Sequence, residues 1–160
     1  MKKTRIYRQI DQGFTLIEIL VVLVIIGITV GLVQLNAMPN DAETLKMEAN
    51  RFGLLAEQAA NEARASGQTY ACVITDVGYT FVAKNDEGEW KATTDDILRA
   101  REWPEGMIVN NIQIDGQKAA PGQKILFSSS GYNTVFHIQF SLNEEKKSVS
   151  GTTTGRVSVQ

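Results

Sequence analysis

The sequence predicts an α+β chain. A long N-terminal helix, membrane-spanning in its first half and amphipathic in its second, packs on an antiparallel two-sheet β-sandwich of about seven or eight strands. Three observations predict it. The twenty residues from Phe14 to Val33 carry no charge except Glu18. Leu45, Ala49, Phe52, Ala56, Ala59 and Ala63 then recur at spacings of 4, 3, 4, 3 and 4, which is one face of a helix. From Thr69 onward, short alternating segments are separated by Gly, Asn, Asp and Pro turns, with no further long helical pattern.

Residues 1–13 form a basic leader, with Lys2, Lys3, Arg5 and Arg8 against Asp11, a net charge of +3. Residues 14–38 form the apolar helix. Twenty helical residues cover roughly 30 Å, the thickness of a bilayer's hydrocarbon core. Lys and Arg precede the run and none occurs between Arg8 and Lys46, so the leader is expected on the cytoplasmic side and the body across the membrane. A removable secretory signal would have a shorter apolar region and a small-x-small site. Leu35-Asn36-Ala37 has a large residue where a small one belongs, so a retained helix is the reading. Glu18 stands out, because an unpaired acid at a bilayer centre costs roughly 2.5–3.5 kcal/mol. Gly27 and Gly31 have GxxxG spacing, which marks close helix packing, local helix weakness, or nothing specific.

Residues 39–66 form the amphipathic helix. Pro39 interrupts the first helix at Met38, and Asn40 caps a new one with Glu43 three residues on. The apolar stripe is expected to pack on a sheet. Glu43, Lys46, Asn50, Glu57, Asn61 and Arg64 lie opposite, and Ser66-Gly67 stops the helix.

Residues 67–160 form the β-rich body. Thr69–Thr75 and Tyr79–Lys84 read as a hairpin about Asp76-Val77-Gly78, and Asn85–Gly88 as a turn before a short strand at Trp90. Asp95-Asp96 is expected to start a brief helix through Arg101, and Pro104–Gly106 to turn the chain. Residues 107–114, 124–127, 134–142, 147–150 and 156–159 complete the strands. Asn110-Asn111 and Ser128–Ser130 read as loops. Phe136, Ile138 and Phe140 alternate onto the core face, leaving His137 and Gln139 outside.

Composition excludes several functions. After the leader the chain holds 12 basic and 17 acidic residues, a net of −5, which makes nucleic-acid binding an unpromising role. Cys72 and His137 are the only residues of their kinds, so no internal disulfide, Cys- or His-based metal site or catalytic dyad can be assembled. Cys72 sits in an alternating segment and reads as a small buried hydrophobe. Asp86-Glu87-Gly88-Glu89 lacks the alternating pattern of a calcium loop and reads as a solvated turn. No nucleophile elbow, phosphate loop or dinucleotide fingerprint is present. No cofactor is implied, and the chain reads as a non-enzyme.

Lys2-Lys3-x-Arg5, then Gly13-Phe14-Thr15-Leu16-Ile17-Glu18, then the uninterrupted run through Ile28, resembles the N-terminus of type IV prepilins and pseudopilins. The resemblance implies that a prepilin peptidase cuts between Gly13 and Phe14 and that Phe14 becomes N-methylated. It also implies that Glu18 faces the N-terminal amine of a neighbouring subunit. A looser likeness covers the segment order, Ile125-Leu126-Phe127-Ser128-Ser129-Ser130-Gly131 and Thr154-Gly155-Arg156-Val157-Ser158-Val159. It is similar to the H-type minor pseudopilins of type II secretion (GspH/FimT family). That implies a structural subunit of the periplasmic pseudopilus, anchored in the inner membrane by one span, supporting export of folded proteins across the outer membrane. Its implied partners are other minor pseudopilins, the major pseudopilin and the inner-membrane assembly platform. The alternative is a FimT-like minor pilin of type IV pilus biogenesis or DNA uptake, and a third is an unrelated anchored binding module or enzyme.

Overall fold

The computed structural model describes residues 15–35 and 40–160. The expected leader, the Gly13–Phe14 junction and the break at Pro39 lie outside the described residues. The chain divides into two units, Met1–Pro39 and Asn40–Gln160. In the first, helix α1 runs Leu16–Leu35. Among the described residues, no helix is long and apolar enough to cross a membrane.

The second unit starts with helix α2, Asp41–Ser66. Asn40 caps it as expected: its Oδ1 accepts the Glu43 N–H at 2.8 Å. Gly67 ends it in the left-handed region (φ 74°), donating its N–H to the Ala63 carbonyl. All six residues of the predicted stripe are fully buried. Burial also reaches Glu48, Gly53, Leu55 and Ala60, so α2 is covered on a wider arc than one stripe.

Ten strands follow among the described residues: β1 Tyr70–Ile74, β2 Gly78–Lys84, β3 Trp90–Ala92, β4 Arg101–Glu102, β5 Met107–Ile114, β6 Gln117–Lys118, β7 Lys124–Phe127, β8 Phe136–Leu142, β9 Glu145–Gly151 and β10 Val157–Val159. One sheet has the order β3-β2-β1-β7, with β4 also paired to β2; the other has the order β10-β9-β8-β5-β6. Every pairing is antiparallel. Helix α2 packs on strands of both sheets, through β1 and β7 on one side and β8, β9 and β10 on the other.

The count exceeds the expected seven or eight because β4 and β6 are two residues long, too short for alternation to reveal. The β5–β6 hairpin had a readable signal nonetheless. Asp115 and Gly116 both take positive φ (48° and 78°), as a two-residue Asp-Gly turn requires. Asn110-Asn111 is not a loop but part of β5, where the register to β8 shifts between Val109 and Asn111. The brief helix expected at Asp95–Arg101 is a turn. Asp95 Oδ1 accepts the Ile97 N–H at 2.8 Å, and Thr93 Oγ1 accepts the Asp95 N–H at 3.1 Å. These local bonds replace helical ones. The turn also buries Leu98 completely and delivers Arg101 to the edge of β2. There the chains come so close that a Cβ at Gly78 would collide with the Arg101 carbonyl.

The core centres on Phe52. Its ring meets Tyr79 of β2 edge-on at 5.2 Å between centroids, and Phe140 and Phe136 of β8 at 5.9 and 6.2 Å. Trp103, following β4, stands 6.2 Å away. Ile138 is fully buried with Phe136 and Phe140, as alternation predicts, and His137 bonds through Nδ1 to Ser150 Oγ on the other face.

One charge is buried where the helix pattern gives no sign of it. Glu48 is 2% exposed, yet its carboxylate is fully engaged: Arg51 donates at 2.7 Å and the Tyr79 hydroxyl at 3.2 Å. Arg51 sits one turn along α2 with its side chain half-exposed, so it brings charge to Glu48 without being buried itself. Burial, and then the Glu48 carboxylate, push the Tyr79 phenol above its ordinary range, against the opposing pull of Arg101 and Arg51. Burial alone does the same to the Cys72 thiol.

Two outcomes follow from this core. Phe52→Ala should destabilise the fold by about 3–5 kcal/mol, as large aromatic truncations do, and a urea denaturation midpoint reads the loss. An unchanged midpoint would show that the two sheets do not depend on this ring. The second concerns alkali. Both Cys72 and Tyr79 hold their protons longer when folded than when unfolded, so their stabilisation is intact below the unfolded pKa values. It drains away above about pH 8.5 for the thiol and about pH 10 for the phenol. Stability measured against pH should therefore fall from pH 8.5 upward, with Cys72→Ala removing the first part of the slope and Tyr79→Phe the second.

Candidate functional site

The body offers little chemistry. Among the described residues, no group of three or more His, Cys, Asp or Glu side chains could hold a metal ion. The Asp86–Glu89 segment is a turn closed by its own asparagine: Asn85 Oδ1 accepts the Glu89 N–H at 2.8 Å. Its amide also reaches the Glu87 and Glu89 carboxylates, and Lys91 pairs with Glu89 at 3.4 Å. Cys72 is enclosed in β1 with no exposure. The residues singled out in the sequence lie instead on α1, where Glu18, Gly27 and Gly31 are placed. Gly13, Phe14 and Pro39 are outside the described residues.

Helix α1 begins with a feature that explains its register. Thr15 stands just before it, and its Oγ1 accepts the Glu18 N–H at 3.3 Å, while its carbonyl accepts from Glu18 and Ile19. Thr-x-x-Glu is the spacing of a capping box. The signal is legible in Thr15-Leu16-Ile17-Glu18 itself. Glu18 thereby sits in the first turn, at the positive end of the helix dipole, which favours a carboxylate there. Its side chain is exposed.

Beyond Glu18 the described face of α1 is apolar on every side. The large apolar side chains from Leu16 to Ile28 are 45–83% exposed. A helix with no polar stripe is stable only where lipid or other helices surround it. The hydroxyl of Thr29 donates to its own helix at the Ile25 and Ile26 carbonyls, 3.0 and 2.9 Å away. Nothing lies within 4 Å of where a Cβ would stand on Gly27. Gly31 follows one turn later, so the two glycines share one face of α1.

Comparison with known proteins divides along the same lines. A profile of the prokaryotic N-terminal methylation motif matches residues 8–33. A profile of the type II transport protein GspH matches residues 48–155. No curated protein matches significantly. Among solved structures, a crystal structure of the minor pseudopilin EpsH from the type II secretion system of Vibrio cholerae superimposes with a TM-score of 0.64. It has 18% identity, over 75% of this chain and 95% of that one. A second EpsH structure from the same source gives 0.59, with 20% identity, over 76% and 97%. The solution structure of Escherichia coli GspH gives 0.57, with 15% identity, over 75% and 91%. At these identities the likeness is one of fold.

Proposed function

The chain belongs to the GspH family of type II transport proteins, and we propose from that premise how it works as a minor pseudopilin of the type II secretion system. The observation that carries the reading is the union, in one chain, of an N-terminal methylation motif at residues 8–33 with a GspH domain at residues 48–155. The protein is a structural subunit, made as a precursor and anchored to the membrane.

Prepilin peptidase cuts between Gly13 and Phe14, on the cytoplasmic side, and methylates Phe14. The cut removes the leader's net charge of +3 and leaves a single amine at the head of the apolar segment. Residues 14–38 then hold the subunit in the inner membrane, with the body from residue 39 onward in the periplasm. Alone in lipid, Glu18 and the new amine are each costly; paired between adjacent subunits, they compensate. Four residues separate them, a rise of roughly 6 Å. A neighbour displaced along the helix axis therefore brings its amine to this carboxylate, which selects the register of assembly. Gly27 and Gly31 allow a neighbouring helix to approach, and Pro39 separates the anchoring helix from α2. The partners are the prepilin peptidase, other minor pseudopilins, the major pseudopilin and the inner-membrane assembly platform. The body's acidic balance fits this role and not DNA uptake.

Mass spectrometry of the mature protein should find methyl-Phe14 as the first residue; an intact Met1 sinks the reading. Glu18→Ala should leave membrane insertion intact while secretion of exoproteins falls by more than about tenfold, the scale of breaking a low-dielectric ion pair. Normal secretion by that variant would defeat the assigned role of Glu18.

A further inference from the structure

Within the body, Tyr132 is the most exposed large apolar side chain, at 79%. Single exposed apolar residues are ordinary. What distinguishes Tyr132 is the backbone beneath it. The next residue, Asn133, is 4% exposed and bolts two loops together. Its Oδ1 accepts the Ser128 N–H at 3.0 Å, and its amide donates to the carbonyls of Gly131 and Thr153. Its own N–H reaches Thr153 at 2.9 Å, and Thr134 closes onto Leu126 at 3.0 Å. The Tyr132 ring is thus presented on a loop that is already ordered, so seating it in a partner costs little backbone entropy. Leu126 and Val135, each about 40% exposed, lie on the segments that enter and leave this loop.

The charges around this loop differ from those of the body. Arg64 lies along Gly131 and Gly155, donating to the Thr154 carbonyl at 3.2 Å and to Asn61 Oδ1. Arg156 is exposed, in the turn that Asn133 holds from the other side. Neither residues 126–135 nor residues 151–157 include an Asp or Glu, although the chain after the leader has a net charge of −5. Two carboxylates border these segments, each turned to a backbone donor: Asp115 accepts the Val135 N–H at 3.1 Å and Glu57 accepts the Val157 N–H at 2.8 Å. An immobilised tyrosine on a loop that packs along Arg64 and is bonded to the turn leading into Arg156 has the composition of an interface anchor. Arginine in that setting matches carboxylates.

We propose that the Tyr132 loop, with Arg64 and Arg156, is the surface by which the body docks on a neighbouring pseudopilin, onto carboxylates set around an apolar hollow. The proposal rests on the pseudopilin reading. It is tested in cells by placing the photo-cross-linker p-benzoylphenylalanine at position 132 of the full chain, alongside individually tagged pseudopilins of the same system. Position 132 should cross-link to one of them. Arg156→Glu, alone and with Arg64→Glu, should lower the yield on the order of tenfold, and Arg156→Lys should restore part of it. Arg156→Glu alone keeps the test valid if Arg64→Glu loosens the Thr154 turn. Cross-links to phospholipid only, to no tagged pseudopilin, or undiminished by either charge reversal overturn the proposal. Methyl-Phe14 is measured in the same cells: its presence without a cross-link defeats this docking surface alone, and its absence defeats the processing on which the functional reading stands.

Discussion

The body depends on Phe52 lying between two sheets. Neither sheet is a stable object alone, since each has one apolar face, and what they share is the buried arc of α2. The helix achieves this with Ala49, Ala56, Ala59, Ala60 and Ala63, whose small side chains let strands approach on both sides. Phe52 is the one large ring in that row, and it touches aromatic side chains from each sheet. An alanine-rich helix with a single aromatic is therefore a spacer of set width, and the two sheets pack at the separation it imposes.

The same geometry accounts for Glu48. A carboxylate in this row would be prohibitive without partners, and it has two, of different kinds. Tyr79 belongs to β2 and to the aromatic cluster around Phe52, whereas Arg51 reaches in from the exposed face of α2. A hydrogen bond from β2 to one carboxylate oxygen ties the rotation of the helix to that sheet. A hydrophobic residue at position 48 would pack but would not discriminate between rotations.

The two units of the chain pose opposite problems. In the body, apolar groups are covered by the chain itself, and the surface is polar with scattered apolar side chains. In α1 the apolar groups face outward on every side, with one carboxylate in the first turn. The family match divides at the same place, with the methylation motif on the first unit and the GspH profile on the second.

By itself the sequence determined whatever depends on neighbours along the chain. Asn40 and Gly67 bound α2 because caps act within a turn, its buried stripe follows from the 3.6-residue period, and Phe136, Ile138 and Phe140 share a face because strands alternate. The motif at Gly13–Glu18 belongs to this class, being a linear signal, and it carried most of the functional reading. Tertiary structure decided what depends on residues far apart. The burial of Glu48 was illegible because its partner Tyr79 lies 31 residues away, and an acid on a helix otherwise reads as solvated. The strands β4 and β6 exist only as pairings, too short to have a period of their own. Asp95 favoured a helix start by local chemistry, but the need to bury Leu98 and bring Arg101 beside β2 favoured a turn. The Tyr132 loop likewise looked like a Ser-rich connection, and only the contacts of Asn133 with residues twenty positions on made it a fixed surface.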